Sequence, residues 1–161
     1  MTQIHPFTRR GLIAAGAGVL ATAALRVPAR AQGLAPTPTM RGGANNYIPG
    51  APVVARIGGG GFAMTGRVLR AGDGMPLPGQ RIQIWAHTTE GHERDPASHG
   101  ATLTADDGSF RMDMPQIVPA FGQAHAHLAY DGGAFRTVFL RPVMERPDQT
   151  SLHADFVLVP A

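Results

Sequence analysis

The chain has 161 residues, with 21 Gly, 14 Pro, no Cys and a formal net charge of +3. This length suits a single domain, and the Gly and Pro content argues against helix bundles and coiled coils, because both residues interrupt helices. The lack of Cys excludes a disulfide scaffold, a zinc ribbon and a cysteine nucleophile.

Residues 1–31 have the pattern of an export signal. Arg9 and Arg10 stand directly before an apolar run, 11–25, that is shorter than the roughly 20 residues needed to span a bilayer. Residues 29–31 read Ala-Arg-Ala, an A-x-A cleavage site, so we expect the mature chain to begin at Gln32. The twin arginine indicates Tat export to the periplasm or beyond, with a Sec signal as the alternative.

The positive charge belongs to this segment. It carries four of the 14 basic residues, all Arg, and no acid, which leaves ten Arg against 11 acidic residues in the mature chain. A net charge of −1 gives no electrostatic reason to expect nucleic-acid binding. We expect no membrane association after cleavage of the signal.

The remaining chain predicts an all-β fold. Residues 32–61 lack periodicity and are rich in turn formers, so we expect an extended arm lying on the domain or on a partner, including a second copy in a homo-oligomer. Residues 62–161 alternate short runs of β-formers with Gly, Pro and Asp turns, as in a β-sandwich of the immunoglobulin/transthyretin-like kind. About seven strands are predicted: 62–70, 81–87, 101–104, 109–114, 125–130, 135–141 and 153–159.

The order of several motifs resembles the intradiol ring-cleavage dioxygenases. The resemblance spans residues 62–159 and rests on a G-x-V strand, a Pro-Gly turn before a strand ending in Trp, an Asp-Gly hairpin, a proline turn leading to H-x-H, and a closing D-F-V-L strand. These motifs lie at 65–69, 74–85, 104–110, 117–127 and 155–158.

This resemblance implies a β-sandwich that holds non-haem iron and cleaves catechol-type rings with O₂. In that family two Tyr and two His hold the iron, and the H-x-H supplies both histidines, which are His125 and His127 here. Residues i and i+2 of a strand point to one face, so the two imidazoles can converge on one ion, although spacing alone would equally suit two polar residues on a solvent-facing strand. The small Ala124, Ala126 and Ala129 around the pair and the proline turn before it favour the metal. Imidazole suits iron, copper and zinc alike, so copper and zinc stay open as alternatives.

The tyrosine ligands of the family are missing. The mature chain contains only Tyr47, in the arm, and Tyr130, which strand alternation places on the face opposite His127. Phe121 follows the proline turn where the family has its second tyrosine, and loop 88–100 contains no Tyr. The tyrosinate iron centre is therefore absent in the form that the family builds it.

Other side chains are needed to complete a metal site. His87, His92 and His99 lie near or within the loop that follows Trp85, and any one of them could join the histidine pair. Alternatively, Glu93 or Asp95 in the same loop would complete a two-histidine, one-carboxylate triad suited to oxygen activation. The sequence leaves these alternatives open, because the path of the loop is unknown.

Three residues are candidates for substrate contact. Trp85 is a core residue or a pocket wall, and Gln123 is near the place of the arginine that assists substrate in the family. Arg136, like Arg141, flanks the apolar run 138–140 and could meet a carboxylate-bearing aromatic, with surface ion pairing as the alternative.

The sequence thus favours an exported oxidoreductase acting with O₂ on a small catechol-type aromatic at an altered metal site. Two alternatives use the same sandwich: a non-catalytic periplasmic copper-binding protein, and a metal-free structural or ligand-binding domain.

Overall fold

A computed structural model describes residues 33–120 and 122–161, so the predicted signal segment, Gln32 and Phe121 lie outside the described residues. Within the described part, eight strands form two sheets, and the prediction of an all-β sandwich is confirmed. The strands are β1 (Phe62–Arg70), β2 (Arg81–Ala86), β3 (His99–Leu103), β4 (Ser109–Met114), β5 (Ala126–Tyr130), β6 (Val138–Leu140), β7 (Ser151–His153) and β8 (Phe156–Leu158). A short 3-10 turn, Pro96–Ser98, precedes β3. No helix in residues 33–120 and 122–161 is long and apolar enough to cross a bilayer.

The first sheet has the order β4-β1-β7, with β8 pairing the other end of β1. The second sheet has the order β3-β2-β5-β6. Alternating apolar residues from both sheets form one buried core, as expected when two strand faces pack together. It includes Met64, Met112, Ile84, Leu128 and Tyr130.

The single predicted strand 153–159 is two strands in the structure. The interruption lies where Ala154 crosses β1 at Gly66, and a Cβ on that glycine would clash with the Ala154 carbonyl oxygen. There the Ala154 N–H bonds to Thr65, and Asp155 accepts a hydrogen bond from the Arg67 N–H at 2.7 Å. These bonds to β1 replace a continuous ladder, so the pairing resumes only at β8.

The arm crosses the outer face of the second sheet. Because neighbours in a strand point to opposite faces, Gln83 and Trp85 on β2 face away from the sandwich core. Both are nevertheless fully buried. The Trp85 Nε1–H donates to the Asn45 carbonyl at 2.9 Å, and the Gln83 amide donates to the Ile48 carbonyl at 2.8 Å. The arm therefore supplies the partners that these buried polar groups require.

Candidate metal centre

Two histidines and one glutamate converge beneath the arm. His127 lies in β5 and His125 directly before it, so both imidazoles project from the outer face of the second sheet. Glu93 comes from the loop between β2 and β3. The loop is folded back on itself, since the Thr88 N–H bonds to the Gly91 carbonyl and the His92 N–H to the Asp95 carboxylate.

The donor atoms of these three residues face one another. Glu93 Oε2 lies 3.5 Å from His125 Nε2 and 3.6 Å from His127 Nε2, and all three atoms lie within 4.8 Å of one another. Ligands that each lie about 2.0–2.2 Å from one ion stand roughly 3.0–3.5 Å apart, so a slight closure would bring them into contact with a single metal. The three side chains are only 0–4% exposed.

The outer nitrogens of both imidazoles are held by carbonyl groups. His125 Nδ1 lies 2.7 Å from the Gln123 carbonyl oxygen, and His127 Nδ1 lies 3.0 Å from that of Gly43. A carbonyl can only accept, so each Nδ1 carries the proton and each Nε2 presents a lone pair to the centre. This arrangement, in which a carbonyl fixes the tautomer and orientation of the ring, is typical of metal-binding histidines.

Glu93 is oriented by the arm. The Asn46 amide donates to Glu93 Oε1 at 2.6 Å, which leaves Oε2 directed at the imidazoles. Among the described residues, Glu93 Oε2 and His127 Nε2 are buried without a hydrogen-bond partner. Since neutral imidazoles with a proton on Nδ1 cannot donate from Nε2, the contacts between these atoms join acceptors only. Buried acceptors that face one another in this way fit a shared cation.

Burial favours the metal-binding form of the buried ring. It lowers the pKa of His127, and the Gly43 carbonyl opposes this effect only in part. A neutral imidazole keeps the Nε2 lone pair available, whereas a protonated one cannot bind a metal. Burial likewise lowers the pKa of His99.

Trp85 stands behind the centre in a stack of parallel rings. Its indole is sandwiched between His127 at 5.1 Å and His99 at 5.4 Å, each inclined by 8°. The indole thus covers one face of the His127 ring, which is fully buried. The structure therefore gives Trp85 a packing role and does not place it among the residues that line the pocket.

The remaining histidines proposed as ligands lie outside this group of donor atoms. His99 donates from Nε2 to the Glu93 backbone carbonyl at 2.8 Å, so it positions the loop that carries the carboxylate. His87 packs against His92 with ring centres 4.9 Å apart, and His92 Nδ1 accepts from the Arg94 N–H. Of the alternatives that the sequence left open, the structure brings Glu93 to the histidine pair.

The two other residues proposed for substrate contact also lie elsewhere. Gln123 is exposed, and its backbone carbonyl, rather than its side chain, meets His125. Arg136 lies on a surface shared with Thr37 and Val159. Tyr47 packs on Trp85, and its hydroxyl bonds to Asp131, away from the three donor atoms.

A pocket opens over the centre. It has a volume of about 380 Å³, within the range of small-molecule sites, and its lining consists of Asn45, Asn46, Glu93, Arg94, His125 and Arg141. A larger depression of about 560 Å³ lies beside β1 and β4, but the carboxylate in it, that of Asp113, is paired with Arg111. Nothing local in the sequence marks the arm asparagines or Arg94 as pocket residues, because the arm has no periodicity and Arg94 is a single arginine in a loop.

Fold and site together define an all-β sandwich with a candidate two-histidine, one-carboxylate metal centre. No protein-family model and no curated protein matches the sequence. Solved structures do match the fold, and they include a hydroxyquinol 1,2-dioxygenase from Pseudomonas putida DLL-E4, at 16% identity and a TM-score of 0.58 over 78% of this chain and 67% of that one. A 3-chlorocatechol 1,2-dioxygenase from Rhodococcus opacus 1CP has 15% identity and a TM-score of 0.55 over 71% and 70%.

A third match is the dioxygenase domain of a dioxygenase–carbohydrate-binding protein fusion from Streptomyces sp. SirexAA-E, at 19% identity. Its TM-score is 0.58, over 79% of this chain and all of that one. The resemblance to intradiol dioxygenases drawn from the motifs is thus confirmed at the level of the fold. At this identity the likeness shows the fold alone, so the candidate metal ligands are identified from the residues of this chain.

Proposed function

We propose that the protein is an oxidoreductase that binds one non-haem iron ion through Glu93, His125 and His127 and acts with O₂ on catechol-type aromatics. The observation that carries the proposal is the meeting of three buried acceptor atoms, two of them without a hydrogen-bond partner among the described residues. Two histidines and one carboxylate with positions left open is the ligand set of non-haem Fe(II) oxygenases. A ferrous ion bound there would supply the redox chemistry with O₂.

The surrounding residues support such a site in distinct ways. Gly43 and Gln123 fix the rings of the two histidines, and Asn46 fixes the carboxylate. Trp85 stacks on the His127 ring, and the pocket lined by Glu93 and His125 offers space for a ring substrate. The likeness of the fold to dioxygenases that act on hydroxyquinol and chlorocatechol supports the choice of substrate class.

The proposal is tested by O₂ uptake. The full chain is freed of metal, loaded with Fe(II) without oxygen, and mixed with catechol, hydroxyquinol and substituted catechols in the presence of ¹⁸O-labelled dioxygen. We expect O₂ consumption and a ring-opened product that contains both labelled atoms. Loading with zinc should give no consumption, since Zn(II) has no redox chemistry.

Two variants on the same loop distinguish the loss of a metal ligand from the general effect of removing a negative charge. Glu93→Gln should abolish O₂ uptake, whereas Glu90→Gln, which changes an exposed glutamate three residues away, should retain it. Failure of the iron-loaded protein to consume O₂ with every diol, or full activity of Glu93→Gln, would overturn the proposal.

We also propose export through the twin arginine. Replacement of Arg9 and Arg10 by lysine should hold the protein in the cytoplasm of a bacterial host. Cell fractionation and the mass of the mature N-terminus would measure this, and unchanged export would favour a Sec signal.

A further inference from the structure

Two arginines stand at the mouth of the pocket without a carboxylate partner. Arg94 and Arg141 both line it, and among residues 33–120 and 122–161 neither guanidinium forms an ion pair. Of the other described arginines, four pair with carboxylates and four form no ion pair; the paired ones are Arg70, Arg81, Arg111 and Arg146, and the unpaired ones are Arg41, Arg56, Arg67 and Arg136. The pocket therefore keeps two cationic groups unneutralised beside the candidate metal centre.

The nearest group to the Arg141 guanidinium does not satisfy it. Arg141 Nη2 lies 3.3 Å from His125 Nδ1, but that nitrogen carries the proton that it donates to the Gln123 carbonyl at 2.7 Å. Two donors cannot form a hydrogen bond with each other, so the guanidinium N–H groups remain available to a ligand. The Arg141 Cδ lies beside Gly42 of the arm, 3.5 Å from where a Cβ on that glycine would stand, and the Arg141 backbone N–H bonds to Met40 Sδ.

The charges of the pocket favour an anion. Glu93 is the one carboxylate among the residues that line it, and this carboxylate faces the imidazoles. A divalent ion on Glu93, together with the two guanidiniums, would give the pocket a net charge of +3. Guanidinium groups match the planar geometry of a carboxylate and bind it through paired hydrogen bonds, and the adjacent Asn45 and Asn46 offer further amide groups.

We propose that Arg94 and Arg141 select aromatic substrates that carry a carboxylate, an inference that rests on the proposed function. The two arginines hold the acid group at the mouth of the pocket, and the ring extends inward to His125 and the metal. They determine which ring is bound, and they take no part in the chemistry on it.

The test is a binding measurement that requires no turnover. Isothermal titration of the zinc-loaded full chain compares 3,4-dihydroxybenzoate with catechol, which differ only by the carboxylate. We expect the acid to bind roughly ten- to a hundredfold more tightly, as charge-assisted hydrogen bonds predict. Added salt should weaken binding of the acid and leave that of catechol nearly unchanged.

The variants assign the effect to the arginines. Arg94→Gln and Arg141→Gln should each remove most of the preference for the acid, while Arg136→Gln, an exposed arginine away from the pocket, should keep it. Arg94 is exposed, so its variant keeps the inference testable even if Arg141→Gln fails to fold. Equal affinities for the two ligands, or a preference that survives Arg94→Gln, would overturn it.

The metal-free protein distinguishes this inference from the proposed function. Benzoate, which has no diol, should still bind there through the arginines and should lose binding in Arg94→Gln. If this holds but the iron-loaded protein consumes no O₂, the anion site stands and the oxidoreductase proposal fails. If O₂ is consumed with catechol but benzoate does not bind, the proposed function stands and the anion site fails.

Discussion

Replacement of Glu93 by glutamine changes the character of the centre without changing its shape. The carboxylate Oε2 faces two imidazole lone pairs at 3.5 and 3.6 Å, so without a cation between them three acceptors share a buried space. Glutamine would keep its oxygen toward the Asn46 amide and place an NH₂ group opposite the histidines. The substitution therefore introduces donors where the protein has none.

Glu93→Gln should raise the melting temperature of the metal-free protein and reduce the stabilisation that metal binding provides. A partner for one buried acceptor is worth about 1–2 kcal/mol, so metal-free Glu93→Gln should melt roughly 3–8 °C above the metal-free native chain. Metal at a hundredfold excess over its Kd stabilises the native chain by about 2.7 kcal/mol, a rise in Tm of roughly 8–11 °C. The variant, which lacks the anionic ligand, should show almost none of this rise.

Thermal unfolding after chelation and after anaerobic addition of Fe(II) measures both effects. Glu90→Gln is the matched control, because its side chain is exposed and should leave both melting temperatures as in the native chain. The reasoning is refuted if Glu93→Gln destabilises the metal-free protein and yet responds to metal as the native chain does.

Three further predictions concern the arm. Asn46→Ala should weaken metal binding roughly 10–100-fold in a chelator competition, because it frees the carboxylate that the amide holds at 2.6 Å. Gly43→Ala should also weaken it in the same assay, since a Cβ would stand 2.8 Å from the Phe139 carbonyl and displace the carbonyl that orients His127. Burial, followed by the hydrogen bond to Asp131, raises the pKa of Tyr47 from 10.0 to about 12. Spectrophotometric titration should therefore show the Tyr47 phenol ionising with a pKa of about 12. Because the unfolded chain loses this proton at lower pH, the stability of the fold should fall as the pH rises from 10 to 12.

Matched variants test each of these. Asn45→Ala should leave metal affinity unchanged. Among the described residues the Asn45 side chain does not bond to the Glu93 carboxylate, and Trp85 donates to the Asn45 backbone carbonyl, which the substitution keeps. Gly50→Ala alters an arm glycine that has open space around it. Its φ of 77° is unfavourable for alanine, so the variant should lose stability but keep its metal affinity. Asp131→Asn should lower the Tyr47 pKa part of the way toward its ordinary value. Unchanged metal affinity in Asn46→Ala and Gly43→Ala, or an unchanged Tyr47 pKa in Asp131→Asn, would contradict the respective prediction.

Turn residues and the alternation of apolar residues are sufficient to predict most of the strands. The structure gives β1 and β4 the predicted bounds, because each strand has alternating apolar residues and its own flanking Asp-Gly turn, at 73–74 and at 107–108. The prediction of one closing strand was wrong, since its interruption depends on a backbone crossing at Gly66. That contact joins residues 88 positions apart and has no local signal.

The candidate site could be predicted only in part. Strand alternation was sufficient to place His125 and His127 on one face, but the choice among the loop side chains depends on how loop 87–98 folds. The bond from His99 to the Glu93 carbonyl helps to fix that path. The contributions of Gly43 and Asn46 come from 84 and 47 residues away, through an arm without periodicity, so the sequence pattern could not reveal them.

Metal analysis of the purified full chain tests the central claim most directly. We predict one transition-metal ion per chain after reconstitution and desalting, with X-ray absorption showing imidazole nitrogen and carboxylate oxygen as protein ligands. The ion should be lost in Glu93→Gln and in His127→Ala and retained in Glu90→Gln. A native chain that retains no metal, or equal metal content in all four proteins, would contradict the account.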